Sequence, residues 1–247
     1  MKLVRPIITM LAFLALWWAI TEFSDIQPFL LPGPGAVLHE LLTQRVYLAQ
    51  NLVVTLIEIL LGLALGTIFG ALMALIMVFS SGLQRWLLPV LLLSQAMPVF
   101  ALAPLLVLWL GFGLAAKVLL ALLIIFFPVT VSLYDGLRHT EPGWLDLART
   151  MGASKLSILL HVRLLAALPA FGAGLRIAAV VAPIGAVLGE WAGASAGLGY
   201  VMINANARMQ TSLMFAALVL LTGITILLWA GVHLLLKKLL FWAPNQD

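Results

Sequence analysis

Few side chains in this sequence can do bond chemistry, and their spacing argues against catalysis. Cysteine is absent, which excludes a disulfide framework, a thiolate metal site and a Cys nucleophile. His39 and Glu40 begin like the zinc motif HExxH, but Thr43 stands where the second histidine ligand is required. His139, His161 and His233 share no ligand spacing and read as surface or interface histidines. No Ser-His-Asp or paired-carboxylate arrangement is suggested, and no metal site is expected. A GxxxxGK(S/T) phosphate loop is also missing, so this chain cannot itself be an ATP-hydrolysing subunit. A non-catalytic role is expected.

Three ionisable residues do stand out: Glu58, Arg176 and Glu190 fall inside long apolar runs. A charge at mid-bilayer costs about 2.5–3.5 kcal/mol on insertion scales, so each should face protein or water. Glu190 lies near the outer end of its run and is expected to snorkel toward water. Glu58 and Arg176 lie deeper, about ten residues inside. Their depths allow an ion pair between them, or an Arg176 bonded to backbone carbonyls. A structural role is expected for both, with pathway lining as the functional alternative for all three.

Backbone-active residues fall in the same runs. Pro98 and Pro104 each remove a helical hydrogen bond and crowd the preceding turn, which predicts a kinked or broken helix there. Such backbone is tolerated at membrane depth where protein or a water-filled cavity surrounds it, so this stretch is a candidate pathway lining. Pro128 predicts a further kink. Gly62, Gly66 and Gly70 share one helix face and allow close approach of another helix, expected within the same chain.

The elements that must position these residues are membrane helices. Of 247 residues, 64% are hydrophobic and 9% charged, against about 25% charged in a soluble domain. The absence of any long polar tract or low-complexity tail excludes disorder. Six apolar spans are expected, at about 6–23, 52–79, 87–109, 116–133, 165–188 and 213–236, each able to cross about 30 Å of hydrocarbon. Continuous apolar runs predict an all-α polytopic protein rather than a barrel. The runs form one transmembrane domain over 1–247, with no separate soluble domain. The first span ends in Trp17, Trp18 and Phe23 rather than a small-residue cleavage site, so it reads as an uncleaved span. The segment 29–35 is turn-rich and reads as a connector, with a short interfacial helix over 36–44 as the alternative.

Basic residues set the orientation. With the N-terminus inside, Lys2, Arg5, Arg85, Arg138, Arg149, Lys155, Arg163, Lys237 and Lys238 lie on the inner side; only Arg45, Lys117 and Arg208 lie outside. This bias places both termini in the cytoplasm. The net charge of +4 is scattered over apolar runs and does not indicate a nucleic-acid partner.

The cytoplasmic loop at about 140–165 carries the most information. Thr140 can cap a helix with Pro142 in its first turn. Leu145, Ala148 and Met151 or Gly152 then form one apolar face, Gly152 can stop the helix in a left-handed conformation, and Ser154 can cap a second helix. Such a helix either lies on the bilayer surface or docks in a groove of a soluble partner.

Here the chain resembles a known family. Asp146, Leu147, Ala148, Gly152, Ala153, Val162 and Leu164 are similar to the EAA loop of permease subunits of binding-protein-dependent ABC importers. That pattern is Glu-Ala-Ala, a Gly six residues after the Glu, then Ile-x-Leu-Pro. Asp146, Leu147, Val162 and Leu165 depart from it, and a second proline common in the family is kept as Pro169. Leu31 to Pro34, Ala103 to Leu106, Gly111 to Gly113 and Gly197 to Tyr200 resemble the nitrate, sulfonate and taurine group. Ala182 to Ala186, Gly189 to Trp191 and Ala205 to Gln210 look most like permeases for hydroxymethylpyrimidine-type thiamine precursors. The resemblance implies a type I importer fold in a bacterial inner membrane. It implies a permease homodimer, two ATPases that carry ATP and Mg, and an external binding protein. The 146–152 loop would be the coupling helix. Sulfonate, taurine or nitrate are the alternative substrates, and an ion-coupled secondary transporter is the alternative class.

Overall fold

The computed structural model describes residues 4–243 of the chain. Lys2 lies outside these residues, as does the side chain of Arg5. Among the described residues there are eleven α-helices and no strand. They are α1 (Val4–Phe23), α2 (Pro34–Thr43), α3 (Arg45–Phe79), α4 (Ser81–Ala96), α5 (Val99–Leu110) and α6 (Leu114–Arg138). Then follow α7 (Pro142–Thr150), α8 (Lys155–Ile158), a π-helical segment (Leu159–Arg163), α9 (Leu164–Trp191), α10 (Leu198–Ala207) and α11 (Thr211–Leu239).

Four of these run long and apolar enough to cross a membrane: α3, α6, the run Lys155–Trp191 and α11. The expected third span is broken. α4 and α5 meet at Met97 and Pro98 with a bend of 97°, because Pro98 cannot donate to the preceding turn. Pro104 and Pro128 are instead accommodated inside α5 and α6. α1 is a shorter apolar helix over Ile8–Phe23, tied down where Trp17 Nε1 donates to Pro32 O at 3.1 Å. The 29–44 connector contains a helix, α2, since Gly33 precedes Pro34 at its first turn.

α6 is the central element, packed between α3 and α9 through residues without side chains. A Cβ on Gly62 would sit 2.5 Å from Ala121 Cβ, and one on Gly70 would sit 2.6 Å from the Phe126 carbonyl. From the other side, Gly185 faces Ala121 and Gly189 faces Lys117. In lipid, close van der Waals contact supplies the helix–helix attraction, so missing side chains become the adhesive surface. The buried core follows this contact, with Ile59, Ala121, Ile125, Val129, Ala178 and Ala182 all sealed from solvent.

A cheap variant tests that packing. Gly66→Leu places its Cβ 2.7 Å from Ile125 Cγ2 and is expected to destabilise by about 1–3 kcal/mol through overpacking. Gly231→Leu on α11 has nothing within 4 Å of its Cβ and should be near neutral. Melting of the detergent-solubilised chain, followed by size exclusion, separates the two.

Candidate functional site

Two groups of candidate side chains lie at opposite ends of the bundle. At one end, α7 begins with Pro142 at its first turn, but its N-cap is Glu141 rather than Thr140. The Thr140 hydroxyl instead donates to Leu137 O at 3.2 Å and closes off the end of α6. The stop is a Schellman turn: Ala153 N donates to Ala148 O at 3.0 Å and Gly152 N to Arg149 O at 2.9 Å. Gly152 has φ of +77°, which a residue with a Cβ adopts only under strain. Ser154 Oγ then accepts from Ser157 N at 3.2 Å and starts α8. The two helices are thus held at a fixed angle by backbone hydrogen bonds.

This turn decides which face is free. Leu145 is buried against the chain and Ala148 is half-buried, so the face formed by those residues anchors the loop. The exposed apolar surface is Trp144, Leu147 and Met151, at 52%, 62% and 78% exposure. Their i, i+3, i+7 spacing was the available signal for it. They rim an apolar groove of 770 Å³ whose far wall includes Val162, Leu165 and Trp242. Asp146 is exposed and holds Arg149 at 2.7 Å, and the Thr150 hydroxyl donates to Asp146 O at 2.6 Å. Ala153 and Leu164 are half-buried beside the turn and the start of α9.

At the other end, Glu190 does not snorkel. It is 1% exposed and reaches across the bundle. Its Oε1 accepts from the Thr55 hydroxyl at 2.6 Å, and its Oε2 accepts from Gly199 N and from Tyr200 N, the latter at 3.2 Å. Asn51 Oδ1 accepts from Gly197 N at 2.8 Å, and Thr55 Oγ1 from Leu198 N at 2.7 Å. All four N–H groups that open α10 are therefore satisfied by side chains of α3 and α9. The carboxylate also meets the positive end of the helix dipole. No helix over 189–212 and no role for Asn51 or Thr55 is legible in the sequence pattern. The Gly197–Leu198–Gly199 turn, with Gly197 at φ of +118°, marks the start of α10.

Glu58 pairs with Lys117, not with Arg176. Lys117 Nζ lies 2.7 Å from Glu58 Oε1, and both side chains are buried. Lys117 therefore belongs to the packed first turn of α6 rather than to an exposed outer loop. Glu58 Oε2 has no donor among the described residues, and the Glu190 carboxylate is its near neighbour. Arg176 is half-buried in α9 and makes an interaction of its own. Pro98 and Pro104 are exposed on the broken α4–α5 span. Among the described residues no group of His, Asp or Glu could hold a metal ion.

The comparisons with known proteins agree with this arrangement of apolar helices. Residues 66–240 match the family described as binding-protein-dependent transport system inner membrane component. A probable ABC transporter permease protein of Haemophilus influenzae is 51% identical over 97% of this chain and 98% of its own. The formylaminopyrimidine transport permease protein ThiX of Halalkalibacterium halodurans is 38% identical over 93% of this chain and 92% of its own. Among solved structures, a chain of the MetNI methionine ABC transporter in inward-facing conformations superposes with a TM-score of 0.70. It is 18% identical, covers 79% of this chain and 97% of its own, and so supports the fold. The chain belongs to the binding-protein-dependent transport system inner membrane components, the permease subunits of ABC importers.

Proposed function

We propose that two copies of this chain form the translocation pathway of an ATP-driven importer for a pyrimidine-type thiamine precursor. Each copy crosses the bacterial inner membrane six times, counting α1 and the broken α4–α5 pair, with both termini in the cytoplasm. Each coupling loop, centred on Asp146 to Ala153 with Val162 and Leu164 behind it, sits in a groove of one ATPase. An external binding protein delivers the substrate. The observation that carries the coupling role is the exposed Trp144, Leu147 and Met151 face, held out rigidly by the Gly152 turn. ATP binding closes the ATPases, moves both loops and opens the pathway outward; hydrolysis resets it. The loop must contact the two ATPase states differently, since equal contact would drive nothing.

The broken α4–α5 span supplies exposed apolar surface, including Phe100 and Leu108, for the second copy or the pathway. Pro98, Pro104 and Arg176 are its candidate lining residues. Glu58 and Glu190 are sealed inside one copy in this conformation and act there as structural groups.

Co-purification tests the coupling role. Gly152→Val forces a β-branched residue to positive φ, at a cost of about 1–2 kcal/mol. Nothing crowds its Cβ, so the bundle should stay folded. The yield of co-purified ATPase should fall about 5–30-fold. An unchanged yield would remove the loop from the ATPase contact, and uptake that persists without ATP would return the chain to ion-coupled transport. The substrate rests on similarity to ThiX. Calorimetry of the partner binding protein with pyrimidines, sulfonates, taurine and nitrate decides it; a pyrimidine preference is expected.

A further inference from the structure

Two small clefts adjoin at the end of the bundle where α3 stops. The first, of 260 Å³, is walled by Arg149, Lys155 and Arg163 together with Val78, Phe79 and Leu159. The second, of 210 Å³, is walled by Arg138 and Arg163 together with Gln84, Tyr134 and Val78. Arg163 and Val78 are common to both. Four cationic side chains thus line a depression made of two adjoining clefts, and no carboxylate lines either part. Arg149 is held by Asp146. Among the described residues, no acidic side chain pairs with Arg138, Lys155 or Arg163.

Like charges so arranged repel one another, and one of them sits at a local irregularity of the helix. Arg163 ends the π-helical segment Leu159–Arg163. One residue beyond the α-helical count turns a side chain by about 100° relative to an unbroken α-helix. Arg163 faces the α3 residues Val78 and Phe79 and the α6 residues Tyr134 and Arg138 across the two clefts. The depression also opens onto an apolar edge: Phe79, the last residue of α3, is 62% exposed, and Val78 is half-buried beside it.

We infer that this depression binds the headgroup phosphate of an anionic phospholipid of the cytoplasmic leaflet, with an acyl chain along Val78 and Phe79. The cationic ring supplies charge complementarity, guanidinium groups suit phosphate oxygens, and the apolar edge suits a tail rather than a free anion. The leaflet rests on the orientation proposed above, but the contact itself does not, because detergent solution offers both ends of the bundle equally.

Native mass spectrometry of the delipidated full-length permease, titrated with phosphatidylglycerol and phosphatidylcholine, tests it. One phosphatidylglycerol per chain should be held at least about fivefold more tightly than phosphatidylcholine. Arg163→Gln and Arg138→Gln should each weaken it about fivefold, while Arg163→Lys keeps most of the binding. The paired Lys237→Gln, Lys238→Gln variant removes exposed charge from the same end of the bundle, outside the clefts, and should leave binding unchanged. An equal loss in that control would mean diffuse attraction and would overturn the site, as would full binding by Arg163→Gln. Displacement of the lipid by millimolar inorganic phosphate would overturn the lipid assignment in favour of a soluble anion.

Discussion

Lys117→Met lowers the stability of the solubilised chain by about 3–5 kcal/mol, among the largest effects expected of any single substitution here. The lysine holds Glu58 at 2.7 Å, and Glu58 takes no other hydrogen bond among the described residues. Without it a carboxylate stays deep in the bundle, with the Glu190 carboxylate as its neighbour. Water cannot reach Glu58, whose side chain is 1% exposed, whereas that of Lys117 retains 10% exposure near the start of α6. Glu58→Gln should therefore cost less than Lys117→Met, because a lone lysine there can lean toward water. The double variant removes both charges and should recover most of the loss. Melting of the two single variants and the double variant closes the cycle. If the single effects simply add, the pair has no coupling and the interpretation is wrong.

Glu190→Ala should cut uptake more than tenfold and also destabilise the chain. It strips the acceptor from Gly199 N and Tyr200 N in one step and leaves the Thr55 hydroxyl only Asn51 O, at 3.3 Å. Each buried group left unsatisfied costs about 1–3 kcal/mol. The positive end of α10 also loses its anion. Asn51 and Thr55 still hold Gly197 N and Leu198 N, so α10 should loosen rather than detach. The absence of cysteine makes this directly measurable. Ala205 on α10 is 2% exposed, so a cysteine placed there should react slowly in the parent and many times faster beside Glu190→Ala. Glu190→Gln should fall between them, because its amide accepts through one oxygen only. Equal labelling rates in all three would show that Glu190 does not hold α10. Lys117 and Glu190 belong to one polar cluster, so their effects should not be summed.

Local signals in the sequence found the features that depend on neighbouring residues. Pro98 breaks its span because the missing N–H acts within one turn. Gly152 ends α7 and Ser154 starts α8 because both are decided within a few residues. The cap of α7 passed from Thr140 to Glu141, a one-residue change that follows from Thr140 finding Leu137 O. The face of α7 shifted too, since burial of Leu145 required knowing that α8 and the π-helical segment lie beneath it. The short π-helical turn left no legible trace in the sequence pattern.

By itself the sequence determined an all-helical membrane chain, a broken third span and a rigid turn at Gly152, because apolar run length and backbone chemistry act locally. Tertiary structure alone decided that Glu58 meets Lys117 across 59 positions and that Glu190 meets Thr55 across 135. It also decided that α10 exists as a capped helix between α9 and α11. The physical reason is that an apolar run offers many equivalent faces. The glycines that bring α3, α6 and α9 into contact select one register among them. Only that register sets which buried charges become neighbours.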